Sequence, residues 1–548
     1  MKKTATFPMR YSAYALSIAG FAISLALSVW TGEGFWAPAV FGALAGIGTV
    51  DLLQRKHTIN RNYPILGNVR YFLESIGPEI RQYFIQSDTE ERPFSREQRA
   101  VVYQRAKNVL DKRPFGSQLD MYSESFEWMN HSLTPTHLDD SDFRIRIGKQ
   151  CSKPYSASVF NISAMSFGSL SANAILSLNA GAKLGGFYHD TGEGSISRYH
   201  RQPGGDLVWE IGSGYFGCRH EDGSFNPEIF QKNAVVDQVK MIELKLSQGA
   251  KPGHGGILPG AKVTREIAEA RGVAPGEDCI SPSSHSAFST PIELLEFIDY
   301  LRELSGGKPV GFKLAIGHPW EWFGIVKAML ETGRRPDFIV VDGGEGGTGA
   351  APLEFINRLG MPMTEALLIV HNTLVGTNLR EDIAIGAAGK ITSAFNIARA
   401  MALGADWCNA ARGYMFALGC IQSLNCHTGR CPTGVATQDP RRGSKLDVGD
   451  KSQRVYNFHK NTLDALKNLL EASGLKHPSE LGPEHVVRRV SETEAQSYLD
   501  LFPFLEPGAL LQESKTGLSV FDKYWDTARA DTFEPPQFIL KLRETKLR

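Results

Sequence analysis

Three cysteines stand at C-x5-C-x4-C in Cys420-Ile-Gln-Ser-Leu-Asn-Cys426-His-Thr-Gly-Arg-Cys431, and Pro432 follows the last of them. Cysteine thiolates are the usual ligands of iron–sulfur clusters, and a Cys-Pro pair often closes such a run. A tetrahedral zinc site wants a fourth ligand, which His427 could supply. His427 directly follows Cys426, however, and adjacent side chains rarely reach one metal ion. Three thiolates without a good fourth suit a three-iron cluster better than zinc. Three reduced thiols on a helix and loop are the remaining reading.

A second group of residues could hold an anion. Asp342-Gly-Gly-Glu-Gly-Gly-Thr-Gly349 follows an apolar run, and its glycines Gly344, Gly346 and Gly347 let backbone N–H groups approach a phosphate closely. Gly389-Lys390 and Ala411-Arg412-Gly413 come next, again after apolar runs. Lys313 sits inside Gly311-Phe-Lys-Leu314, where a buried ammonium is costly unless it meets an anion. Glu193 in Thr191-Gly-Glu-Gly194 is a candidate proton relay once burial tunes it. Gln248-Gly-Ala-Lys251 supplies a cation.

These residues need elements to position them. Val159–Ser163, Val310–Ala315, Phe338–Asp342, Ile383–Gly386 and Trp407–Ala410 read as strands. Ser171–Leu184, Val235–Ser247, Pro291–Leu304 and Ala394–Leu403 read as helices between them. Repeated β-then-α units argue a parallel sheet, either a barrel or doubly wound. Pattern alone does not choose.

The stretch C-x5-C-x4-C-P-x-G-V-A-T-Q, ending at Gln438, resembles the cluster loop of the glutamate synthase family's FMN-binding synthase domain. The resemblance covers roughly 150–440 and implies a (β/α)8 TIM barrel, with FMN at the strand ends. It also implies a [3Fe–4S] cluster on Cys420, Cys426 and Cys431. Ser163, Met165 and Ser166 of the M-S-F-G stretch would touch the flavin, and Lys313 would face the reduced ring. Gly344, Gly346, Gly347, Gly389, Arg412 and Gly413 would cradle its phosphate. Glu193 would face the substrate, and Lys251 and Arg271 would bind the carboxylates of 2-oxoglutarate, arginine being a good bidentate partner. The chain departs from the pattern at Tyr215 (arginine is usual), His254 (glutamate) and Ile257 (a substrate-binding glutamine), while Ser281–Ser286 is a loosened proline- and histidine-rich segment. No amino-terminal cysteine nucleophile opens the chain, and 439–548 is too short for the synthase's glycine-repeat β-helix. The implied activity is reduction of a small substrate, 2-iminoglutarate to glutamate or another C=N or C=C, by electrons relayed through the cluster. The alternative is a membrane-tethered flavin and iron–sulfur electron-transfer module without its own substrate. A ferredoxin or reductase subunit would be the electron donor.

Lysine plus arginine equal aspartate plus glutamate at 59 each, so no global field calls for nucleic acid. Seven cysteines, three of them spaced as ligands, point to a reducing compartment. Tyr11–Trp30 carries no charge and is long enough to span a bilayer, and Phe35–Val50 is a second, marginal run. Lys2, Lys3 and Arg10 precede the pair and Arg55 and Lys56 follow it, which predicts a membrane hairpin with both flanks and the catalytic domain in the cytoplasm. The expected domains are a membrane anchor at 1–55, a helical linker at 56–150, the FMN-binding barrel with its iron–sulfur loop at 151–440 and a helical extension at 441–548. Ser95-Arg-Glu-Gln98 predicts a capping box opening a helix to about Leu110. The linker otherwise shows no chemistry. A further helix is predicted over Val455–Ser473.

Overall fold

The computed structural model describes residues 9–54, 57–85, 87, 89, 92–112 and 114–546. The flanking charges Lys2, Lys3, Arg55 and Lys56 lie outside the described residues. The chain divides into two compact units, Met1–Glu91 and Arg92–Arg548.

In the first unit, α1 (Ser12–Thr31) and α2 (Trp36–Leu53) form a hairpin, its turn made by Gly32 and Gly34 at positive φ. The helices meet through small residues. A side chain at Gly20 would strike the Phe41 ring at 2.7 Å, and one at Gly42 would meet Phe21 at 3.0 Å. Leu16, Ile23, Val29 and Val40 point outward, so the apolar bulk faces away from the helix–helix seam. Both helices are long and apolar enough to cross a membrane. A short helix, Thr58–Asn62, leads into α3 (Leu66–Ile80).

The second unit is a closed barrel of eight parallel strands. They are β1 (Phe160–Ile162), β2 (His189–Asp190), β3 (Leu207–Ile211), β4 (Val239–Lys245), β5 (Val310–Leu314), β6 (Phe338–Asp342), β7 (Ala384–Ala388) and β8 (Trp407–Ala410). Alternation sorts each strand between core layers. In β3, Trp209 turns outward onto Phe230, while Glu210 turns into the barrel toward Lys313 of β5. Lower in the barrel, Trp407 Nε1 donates to the Tyr188 hydroxyl at 2.8 Å, filling the interior as side-chain layers do in such barrels.

One predicted element is wrong in kind. Val235–Ser247 was expected as a helix, but Val239–Lys245 is β4. Its run V-K-M-I-E-L-K is buried on both faces, which erases the clean alternation of a half-exposed strand. The capping box at Ser95 and Gln98 is present, opening α4 (Arg96–Ala106), which stops short of Leu110. Next, α5 (Ala172–Gly185) packs against α6 (Val448–Ala472), which begins seven residues before the predicted Val455 because Asp447 caps it.

Candidate active site at the mouth of the barrel

The loops after β1 and β2 pack on each other without side chains between them. Gly192 has φ 63°, and a Cβ there would lie 2.7 Å from the Ser166 amide nitrogen. Only glycine fits both the conformation and the approach. This contact sets the T-G-E-G turn against Met165 and Ser166, while the Ser163 N–H donates to Ala410 O at 3.0 Å and closes β1 onto β8.

Inside the mouth, Asp190, Glu210 and Glu243 bring three carboxylate oxygens within 4.8 Å of one another. The Lys313 ammonium sits among them, bonded to Glu210 and 3.0 Å from Glu243 Oε1. Burial disfavours this ammonium, but Glu210, Glu243 and Asp190 outweigh it and hold its pKa well above the usual value. Burial pushes Asp190 and Glu243 up, with Lys313 opposing. The anion that Lys313 was expected to need is therefore supplied, at least in part, by the protein itself.

Beside this cage lies an open cleft lined by Glu193, Ser213, Lys245, Gln248, Lys251 and His254, among others. Lys245 Nζ bonds Glu193 Oε2 at 2.5 Å. Burial alone would raise Glu193, but Lys245, then Arg271 and Lys251, hold its carboxyl down to about 2. Glu193 is therefore held as a carboxylate, facing Lys245, Arg271 and Lys251. Burial lowers Lys251. Arg271 is buried, donating to Phe167 O at 3.3 Å and lying over Phe216, while its Nε has no partner. One carboxylate faces three cations here, so the cleft suits an anion. Glu193→Gln is expected to change turnover without moving the acidic limb of its pH profile, and a shifted limb would contradict the ionised assignment.

On the other side of the mouth, Arg412 reaches over the glycine turn and donates to Glu345 O at 2.5 Å. A side chain at Gly347 would meet Arg412 Cδ and Nε at 3.0 Å. Arg412 lies 4.7 Å from the Phe94 ring centroid and Lys390 lies 6.0 Å from it. Burial brings Arg412 down to about 10, and Lys390 is lowered by burial and then by Arg412. Among the described residues neither cation has a carboxylate within 4.0 Å. Two half-buried cations beside one aromatic ring and a glycine turn fit a phosphate. Gly344 and Gly346 use their N–H groups within the protein, on Met361 O at 2.8 Å and Gly343 O at 2.9 Å, so they shape the turn rather than donate outward. Gly389 and Gly413 pass close to Met363 and to Ile391 O.

Cys420, Cys426 and Cys431 are all free and flank one another at the same rim. Their sulfurs are not among the groups of three that close within 4.8 Å among the described residues, the spacing a single ion would impose. The loop is held by Tyr103, whose hydroxyl donates to Cys420 O at 2.6 Å, by Gln422, which donates to Phe94 O at 3.1 Å, and by Lys262, which donates to Cys426 O at 3.2 Å. Gln422 and Leu424 both stand at φ 57°, strain that non-glycine residues carry where the fold demands it.

The profile described as "Conserved region in glutamate synthase" matches residues 113–476. The chain belongs to the glutamate synthase family. It is 40% identical over 480 residues to the glutamate synthase large subunit-like protein YerD of Bacillus subtilis, covering 80% of this chain and 91% of that one. It is 36% identical to the archaeal glutamate synthase [NADPH] of Methanocaldococcus jannaschii, covering 57% of this chain and 58% of that one. For the glutamate synthase [NADH] of Schizosaccharomyces pombe the figures are 31%, 64% and 16%. The chain thus spans little more than half of the archaeal relative and a small part of the yeast one.

Against the family pattern, two departures are structural. Tyr215 is buried, its hydroxyl meeting His285 Nδ1 at 3.1 Å while His285 Nε2 meets Lys245 O at 2.8 Å. That chain of bonds braces the end of β4 and leaves Tyr215 out of the cleft. His254 lines the cleft and is exposed, and the Ile257 side chain lies outside the described residues. Lys245 and Phe94 are site residues that the sequence did not yield. Lys245 was hidden by the misread strand. Phe94 sits in a stretch with no motif, and its neighbouring capping box was the only local signal.

Proposed function

We propose that this glutamate synthase-family chain is an FMN- and [3Fe–4S]-dependent oxidoreductase that reduces a small anionic substrate, 2-iminoglutarate being the family's own candidate. The observation that carries it is the cluster of Lys245, Lys251 and Arg271 around Glu193, together with a second, half-buried cation pair at the glycine turn. FMN held at Arg412, Lys390 and the glycine turn, with a cluster on Cys420, Cys426 and Cys431, would make hydride transfer and single-electron relay available. Lys251 and Arg271 neutralise substrate carboxylates, as guanidinium and ammonium groups do in a partly dry cleft. Glu193 holds Lys245 in place and repels a misplaced anion. Lys313 keeps positive charge at the floor of the mouth, anchored by its carboxylate cage. The outward apolar faces of α1 and α2 support a membrane anchor, and the basic residues flanking the pair in sequence support a barrel on the cytoplasmic side.

The test is anaerobic purification from membranes, followed by denaturation and turnover. FMN released in solution, with glutamate formed from 2-oxoglutarate and ammonia under a reduced one-electron donor, is the expected result. Recovery of FAD, or of no flavin, would overturn the site. FMN present without turnover of any imino or keto acid would overturn the substrate assignment and favour the electron-transfer module.

A further inference from the structure

The unit Met1–Glu91 holds an apolar surface besides the hairpin. At 100° per residue, Leu66, Val69, Phe72, Leu73, Ile76 and Ile80 fall on one stripe of α3, about 120° wide. The stripe is open: Leu66, Val69, Phe72 and Leu73 are 52%, 53%, 61% and 52% exposed. Glu79, Asn68 and Ser75 flank the stripe beyond Phe72, about 20°, 40° and 60° past it, and Arg70 pairs with Glu74 at 2.7 Å beyond the Leu66 edge. Tyr83, Phe84 and Ile85, in the π-helical turn after α3, are exposed as well.

The position of α3 is fixed by a polar knot at the end of α2. Asp51 is buried, accepting from Asn60 Nδ2 at 3.1 Å, the Ile65 N–H at 2.9 Å and Asn68 Nδ2 at 2.6 Å. A carboxylate so placed has exchanged water for three donors, which locks the first turn of α3 beside the last turn of α2. The open stripe therefore starts within one short helix of the hairpin, in the same compact unit.

We propose that α3 lies in the membrane–water interface, with this stripe seated among lipid acyl chains and the Arg70–Glu74 edge at the headgroups. The proposal rests on the membrane reading of the hairpin. A helix with one apolar face, a charged edge and aromatic residues nearby is the form that binds in the plane of a bilayer rather than across it. The partner is a lipid surface, and its role is to fix the orientation of the chain leaving the membrane.

Photo-crosslinking of the full chain in native membrane vesicles separates the possibilities. Ile23→p-benzoylphenylalanine reports on the hairpin, Phe72→p-benzoylphenylalanine on the stripe and Ser75→p-benzoylphenylalanine on the polar flank outside it. Lipid adducts are expected at 23 and 72, with at least tenfold fewer at 75. Adducts at 23 but not 72 would overturn the interfacial seat while leaving the hairpin in the membrane. Protein adducts at 72 would assign the stripe to a second copy or another protein, and equal lipid yields at 72 and 75 would refute the oriented face. Lipid adducts at neither 23 nor 72 would remove the membrane reading itself.

Discussion

Cys426→Ser is expected to strip iron from the purified protein while leaving FMN in place. Wild type should hold about three irons per chain and show the paramagnetic signal of an oxidised three-iron centre. Serine keeps the size of cysteine but is a poor ligand for a soft metal. The loss should stay local, because Arg412 and Lys390, the cations proposed for the FMN phosphate, follow β8 and β7 and are not on the cysteine loop. What should fail is reduction of the bound flavin by an external one-electron donor. Zinc in place of iron in wild type would end the cluster assignment. Normal flavin reduction in an iron-free variant would reduce the cluster to a structural clip.

Lys313→Met should cost more stability than any other single change at the mouth. It leaves Asp190, Glu210 and Glu243 buried without their shared cation, and breaking a buried ion pair from one side costs on the order of 3–5 kcal/mol. The pH dependence has a definite sign. Asp190 and Glu243 are held above the ordinary carboxyl range even with Lys313 present, and removing it raises them further. A carboxyl whose folded pKa lies above its unfolded value is stable below the unfolded value and loses that stability as pH rises through the folded one. The gap between wild type and variant, read from denaturant midpoints, should therefore widen from pH 5 to pH 8. A constant or shrinking gap would mean that the carboxylates are not what Lys313 neutralises.

The cysteine spacing, the glycine turn and the strand-end positions of Lys313 and Arg412 were legible because each is a local string with its chemistry built in. The barrel itself was not, since alternating βα units fit two sheet topologies until the resemblance chose. β4 was lost because a strand buried on both faces has no period to read, and Lys245 went with it. The ion pairs of Lys313 and Glu193 were beyond reach for another reason. Both join residues 52 or more positions apart, a distance at which only the closed barrel brings carboxylate to ammonium.

Phe94 and α4 also bear on where the working enzyme begins. The recognisable family region starts at 113, and a fragment cut there would seem complete by homology. It would lack the aromatic ring under Arg412 and Lys390, and both the Tyr103 hydroxyl and the Phe94 carbonyl that pin the cysteine loop. A soluble version has its natural cut at Arg92, where the second compact unit starts. Between those two positions lie about twenty residues outside the matched family region that touch Arg412, Lys390 and the cysteine loop.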